Sequence, residues 1–98
     1  MNIKKISEEG KLTLEIEGRI DTLTAPELDG VIKSSLDGLK ELILEIAQVD
    51  YISSAGLRVL ISAQKKMNKQ GKMEVRSANQ DVIEIFEATG FDEILNIV

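Results

Sequence analysis

The sequence predicts an α/β fold in which a mixed, mostly parallel sheet of four to five strands carries helices packed on it. Three observations point there. Leu42-Ile43-Leu44-Glu45-Ile46-Ala47 is nearly continuous in apolar residues, the pattern of a central strand covered on both faces. Two segments, one opening at Thr24 and one running from about Ala55 to Gln70, repeat their apolar residues at the helical period. Around them the period falls to two, so strands alternate with helices, and that order implies right-handed crossovers between parallel strands.

Ile3 to Ile6 suits a short first strand and Glu8-Glu9-Gly10 a tight turn. Lys11 to Glu17 then reads as a second strand with Leu12, Leu14 and Ile16 on one face, so these two strands pair antiparallel. Thr24-Ala25-Pro26-Glu27 has the Thr-x-x-Glu form of a capping box with Pro in the first turn. Leu28, Val31, Ile32 and Leu36 supply the buried stripe of that helix, and Gly38 is placed to stop it. The central strand follows and runs into a turn over Asp50 to Gly56. A helix over Ala55 to Gln70 would be ~24 Å long at 1.5 Å per residue, with Gly71 suited to the left-handed position past its end.

On that helix Leu57, Leu60, Ile61, Ala63 and Met67 share one side, with Val59 at the margin; Arg58, Ser62, Lys65, Lys66 and Lys69 share the other. Lys72 to Arg76 is a further strand with Met73 and Val75 inward. Asn79 can cap a third helix that carries Val82, Ile83 and Phe86 as far as Gly90. Phe91 to Val98 reads as a short helix or turn followed by an extended tail. The expected core centres on Leu44, Ile46, Leu60 and Ile61, joined by Val31, Ile32 and Phe86.

Ninety-eight residues, 43% of them hydrophobic, make one domain spanning 1–98 with no linker. No apolar run is long enough for a membrane span and no signal-peptide pattern follows Met1-Asn2-Ile3-Lys4-Lys5, so a cytoplasmic protein is expected. The chain has neither Cys nor His. That removes disulfides, thiolate chemistry, Ser-His-Asp hydrolysis and the usual zinc sites, so neither a catalytic residue nor a metal or cofactor site is expected. A net charge of −5 with only three aromatic residues argues against a nucleic-acid surface.

The chemistry-bearing stretch is Val49-Asp50-Tyr51-Ile52-Ser53-Ser54-Ala55-Gly56-Leu57-Arg58. A strand there runs into two serines and a glycine and opens a helix, which sets a hydroxyl where an anion is welcome. Either serine is equally suited to be the plain N-cap, accepting from a backbone N–H one turn on. With Ile52 two residues before Ser54, the turn is no Gly-x-Ser-x-Gly nucleophile elbow. In open sheets, functional loops gather beyond the carboxyl ends of strands, so the Gly18 to Thr24 turn could bring Asp21 beside Ser54. Asp21 is also an ordinary turn or capping residue by type. The basic helix face, Arg58 with Lys65, Lys66 and Lys69, suits either a solvated surface or an acidic patch on a partner.

Asp50-Tyr51-Ile52-Ser53-Ser54-Ala55-Gly56-Leu57 resembles the phosphorylation signature of the bacterial anti-sigma-factor antagonists of the STAS domain family. Gly18-Arg19-Ile20-Asp21 with Thr24-Ala25-Pro26-Glu27-Leu28 is similar to that family's Gly-x-x-Asp turn and first helix. Ile85-Phe86-Glu87-Ala88-Thr89-Gly90-Phe91 is similar to its third helix. The matches come in the family's order and cover nearly the whole chain.

Ser53 stands where the family usually has Asp, which leaves a second candidate serine. The sequence also stops at Val98, where many relatives carry a further helix; its lack could expose apolar surface unless a partner or second copy covers it.

The resemblance implies a STAS-fold switch with Ser54 as phosphoacceptor and Asp21, Thr24, Ser53, Gly56 and Arg58 around the partner site. Unphosphorylated, it would bind a protein that is both serine kinase and anti-sigma factor. Phosphorylation would break that complex, and a serine phosphatase would reset it. Two alternatives stand beside it. One is an architectural or sensory STAS protein in a signalling assembly without a sigma factor. The other, a nucleotide-binding protein, is disfavoured because no Gly-x-x-x-x-Gly-Lys-Ser/Thr loop is present.

Overall fold

A computed structural model describes all residues from Met1 to Val98. Seven elements follow one another: β1 (Asn2–Glu8), β2 (Lys11–Ile20), α1 (Ala25–Lys33), β3 (Glu41–Ile52), α2 (Ser54–Gln70), β4 (Lys72–Arg76) and α3 (Gln80–Thr89), with a single 3-10 turn at Phe91–Glu93. The four strands form one sheet in chain order, β1-β2-β3-β4. β1 pairs antiparallel with β2, whereas β2 with β3 and β3 with β4 are parallel. The extended tail adds one parallel bridge, Val75 to Ile97, on the free side of β4.

One hydrophobic core gathers the helices on a single face of the sheet. Leu12, Leu42 and Met73 are aligned across β2, β3 and β4, as are Leu14, Leu44 and Val75, and all six are buried with Leu28 and Ile32 of α1, Leu57, Leu60 and Met67 of α2, and Val82 and Phe86 of α3. The expected cover on both faces of β3 is therefore not found. The intervening rows, such as Lys4, Glu15, Glu45 and Arg76, are charged and lie on the other face, which no helix covers. Ile43 belongs to that face and is still buried, flanked in register by Thr13 and Glu74, so the unbroken apolar run has a local cause. Ile61 and Val31, expected inside, sit half-buried at the rim of the core.

β3 is twice the length read from its apolar run, at 12 residues. Its buried residues beyond Leu44 are Ile46, Val49 and Ile52, three apart instead of two. The register explains the spacing. Glu15 aligns with Glu45 but Glu17 with Gln48, and Gly18 with Val49 but Arg19 with Tyr51, so β3 carries an extra residue at each of two bulges. Each bulge turns the next apolar residue back to the core, and the segment read as a turn over Asp50 to Ile52 is strand.

Helix ends correct two further expectations. α1 stops at Lys33 and not near Gly38, because Ser34 and Ser35 both donate their hydroxyls back to the Val31 carbonyl, at 3.0 and 2.9 Å. The loop after it keeps Leu36 and Leu39 buried, and Gln70 Nε2 donates to both of their carbonyls. Gly71 is extended at φ −179°, not left-handed; a Cβ there would overlap the Lys40 carbonyl. Asn79 and Gly90 behave as read: Asn79 Oδ1 accepts from Val82 N–H at 2.9 Å, and Gly90 closes α3 at φ +76°.

Candidate functional site

The carboxyl ends of β2 and β3 lie side by side, with Ile20 and Ile52 in register. The Ser53 N–H donates to the Ile20 carbonyl at 2.8 Å, so the turn that follows β2 and the one that starts α2 are tied together. Asp21 is therefore next to the serine pair, as the sequence suggests.

The two serines have different surroundings. Ser53 is the N-cap: its Oγ accepts from the Gly56 N–H at 3.3 Å and its carbonyl from the Leu57 N–H at 2.9 Å. Ser54 is the first helical residue, and it is exposed. Its hydroxyl makes no hydrogen bond within the chain. One serine thus holds the helix start and the other presents a free hydroxyl beside a positive helix end.

The facing turn is built on Asp21. Its Oδ1 accepts from Leu23 N–H at 3.0 Å and from Thr24 N–H at 3.1 Å, and its carbonyl accepts from Ala25 N–H at 2.8 Å. The capping box expected at Thr24 and Glu27 does not form; Thr24 makes no side-chain cap bond to α1. Its hydroxyl points the other way, accepting from Asp21 N–H at 2.9 Å and donating to the Arg19 carbonyl at 2.7 Å. Asp21 thereby holds the turn that leads into α1, its carboxylate on Leu23 and Thr24 and its carbonyl on Ala25. The Thr24 backbone donor, above all, holds the Asp21 carboxyl below its usual range; desolvation opposes it, and the Thr24 hydroxyl, Leu23 N–H and nearby Arg19 add to the lowering.

Gly56, expected at the partner surface, is buried. A Cβ there would lie 2.7 Å from the Ile20 carbonyl oxygen, 2.7 Å from Ile20 Cγ2 and 3.0 Å from Ile52 Cγ2. The glycine is needed from inside, so that α2 can start hard against the ends of β2 and β3. Arg58 stands one turn beyond Ser54, exposed and without an ion-pair partner.

Three surface residues at this end went unread in the sequence. Arg19 aligns with Tyr51 across the β2–β3 ladder, its guanidinium 4.7 Å from the ring centroid and its Nε 3.6 Å from Asp21 Oδ2. Leu23, at the tip of the Asp21 turn, is 89% exposed. An apolar residue inside Asp-Thr-Leu-Thr was the available signal. No group of three or more Asp, Glu, His or Cys side chains is placed to hold a metal.

The sequence model of the STAS domain matches residues 2–98. The chain belongs to the STAS domain family. A Bordetella bronchiseptica protein named, provisionally, the anti-sigma factor antagonist BtrV is 31% identical to this STAS domain, over 91% of the chain and 78% of the relative. The crystal structure of an anti-sigma factor antagonist from Mycobacterium paratuberculosis superimposes with a TM-score of 0.88 at 23% identity, covering 98% of this chain and 83% of that one. The Bacillus cell fate determinant SpoIIAA in its phosphorylated form shares the fold at a TM-score of 0.77 and 9% identity, over 99% and 91% of the two chains. No helix of this STAS domain is long and apolar enough to cross a membrane.

Proposed function

We propose that this STAS domain is an anti-sigma-factor antagonist that works by partner switching in the cytoplasm, binding rather than catalysing. Unphosphorylated, it binds a serine kinase that is also the anti-sigma factor, and the sigma factor is released. That kinase phosphorylates Ser54 and loses its grip; a serine phosphatase restores the hydroxyl. The observation that carries this reading is the division of labour between the serines, since Ser53 already fills the cap and Ser54 is free to react. The naming of the 31% identical relative supports it.

The surface offered to the kinase consists of Ser54 with Arg58, the Asp21–Thr24 turn and the capping Ser53. Gly56 acts from beneath, by letting α2 sit close to β2. A phosphate brings about −1.5 to −2 charges at pH 7. At the start of α2 the helix dipole and Arg58 hold it without a change of backbone. In a packed interface the same group must lose its water, and that penalty breaks the complex.

A pull-down from native cells with wild type and Ser54→Asp as baits tests the reading. The wild type is expected to capture a serine kinase that also holds a sigma factor, and Ser54→Asp to capture little of it. Equal capture of that kinase by both baits would overturn Ser54 as the switch, and recovery of a sensory assembly with no sigma regulator would replace this reading with the architectural one.

A further inference from the structure

The twelve cations of the chain are unevenly placed. α2 holds four of them, Arg58, Lys65, Lys66 and Lys69, and not one Asp or Glu, so the chain's net −5 is made of +4 in α2 and −9 elsewhere. All four side chains are exposed, and none takes part in an ion pair. At 100° per residue, Ser54, Arg58, Lys65 and Lys69 fall within a sector of roughly 60°, with Lys66 about 60° further round. They form a ridge on the side away from the buried Leu60, Ala63 and Met67, about 22 Å from Ser54 to Lys69 at 1.5 Å per residue.

Helix stability does not account for the ridge. A solvated face is usually laced with both signs at i,i+4 spacing, whereas here Lys65 and Lys69 are a like-charge i,i+4 pair, which weakens a helix. Nor does the ridge suit a nucleic acid, whose phosphates would be repelled by the −9 on the rest of a small domain with no aromatic residue in α2. An elongated acidic surface of limited size fits it.

We propose that the α2 ridge of Arg58, Lys65, Lys66 and Lys69 is a docking surface for a strip of Asp and Glu side chains on the same protein partner that reads Ser54. The inference rests on the partner-switching reading. It adds an electrostatic arm lying beyond the phosphorylation site, which steers the two proteins together and fixes their register before Ser54 is engaged. Phosphate on Ser54 then adds its negative charge at the head of a cationic ridge and opposes the acidic strip directly.

The test uses the unphosphorylated full chain and the kinase recovered by pull-down. Affinity is measured by calorimetry for the wild type, for Lys65→Glu/Lys66→Glu/Lys69→Glu and for the three Lys→Gln changes, at about 50 mM and about 300 mM salt. The three lysines are exposed, and thermal melting checks that each variant folds. The Glu variant is expected to bind at least about tenfold more weakly at low salt, the Gln variant to fall between, and the gap to narrow at high salt. Equal affinities at low salt would overturn the proposal while leaving the role of Ser54 intact. Failure of the wild type to bind the kinase would bring down the functional reading and the ridge together. Retention of a short DNA duplex or of anionic vesicles by the wild type and not by the Glu variant would reassign the ridge and likewise overturn it.

Discussion

Gly56→Ala is the smallest change that separates packing from access at this site. The added methyl would stand 2.7 Å from a backbone oxygen, that of Ile20, and 2.7 and 3.0 Å from two side-chain methyls. Carbon contacts are comfortable at about 3.5 Å and beyond, so the start of α2 must retreat by several tenths of an ångström. The Ile20 oxygen cannot yield alone, because it accepts the Ser53 N–H bond that joins the two turns.

Overpacking of this kind costs about 1 to 3 kcal/mol. The gain in helix propensity from Gly to Ala is about 1 kcal/mol, and less in the first turn. The net expectation is a loss of about 1 to 2 kcal/mol. In a domain of this size that lowers the melting temperature by roughly 4 to 16 °C. Urea denaturation of wild type and Gly56→Ala measures it. An unchanged or higher midpoint would refute the packing argument and return the glycine to the role of a surface cleared for a partner.

The two serines should differ in stability as they do in structure: Ser53→Ala should cost about 0.5 to 2 kcal/mol through loss of the cap, and Ser54→Ala should stay within about 0.5 kcal/mol of wild type, both read from denaturant midpoints. Leu60→Ala, at a fully buried position of α2, should cost about 2 to 5 kcal/mol in the same assay. The lowered pKa of Asp21 stabilises the fold at all pH values above the unfolded carboxyl's pKa, and this contribution is lost as acid titrates it through the lower folded value. Hence the stability difference between wild type and Asp21→Asn should be constant near neutrality and shrink below about pH 4, as followed by denaturation at stepped pH. A difference unchanged down to pH 2 would rule out the Asp21 charge as its source.

Elements whose side chains obey one period were legible in the sequence. α2, α3 and β4 match their expected bounds to within a residue, because apolar spacing, Asn79 and Gly90 all agree. β3 was not, since two bulges convert its period from two to three over Ile46, Val49 and Ile52, and bulges leave no mark in composition. Thr24 misled for a related reason: Thr-x-x-Glu permits a capping box, but the Asp21 carboxylate three residues earlier takes the Thr24 N–H that Glu27 would have accepted, and the Thr24 hydroxyl is engaged by Asp21 N–H and the Arg19 carbonyl. At the candidate site, the serine pair and Asp21 were legible as neighbours because both follow strand ends. Which serine caps was open, and so was the inward reason for Gly56. Each depends on the approach of β2 to α2, a tertiary contact that local spacing does not encode.

Ser54, and not Ser53, is the residue through which we propose that a kinase switches this STAS domain. Peptide mass spectrometry after incubation with the recovered kinase and ATP measures it directly, in the wild type and in Ser53→Ala. Phosphate is expected on Ser54 in both proteins, with the modified wild type no longer binding the kinase. Phosphate on Ser53 alone, or on neither serine, would contradict it.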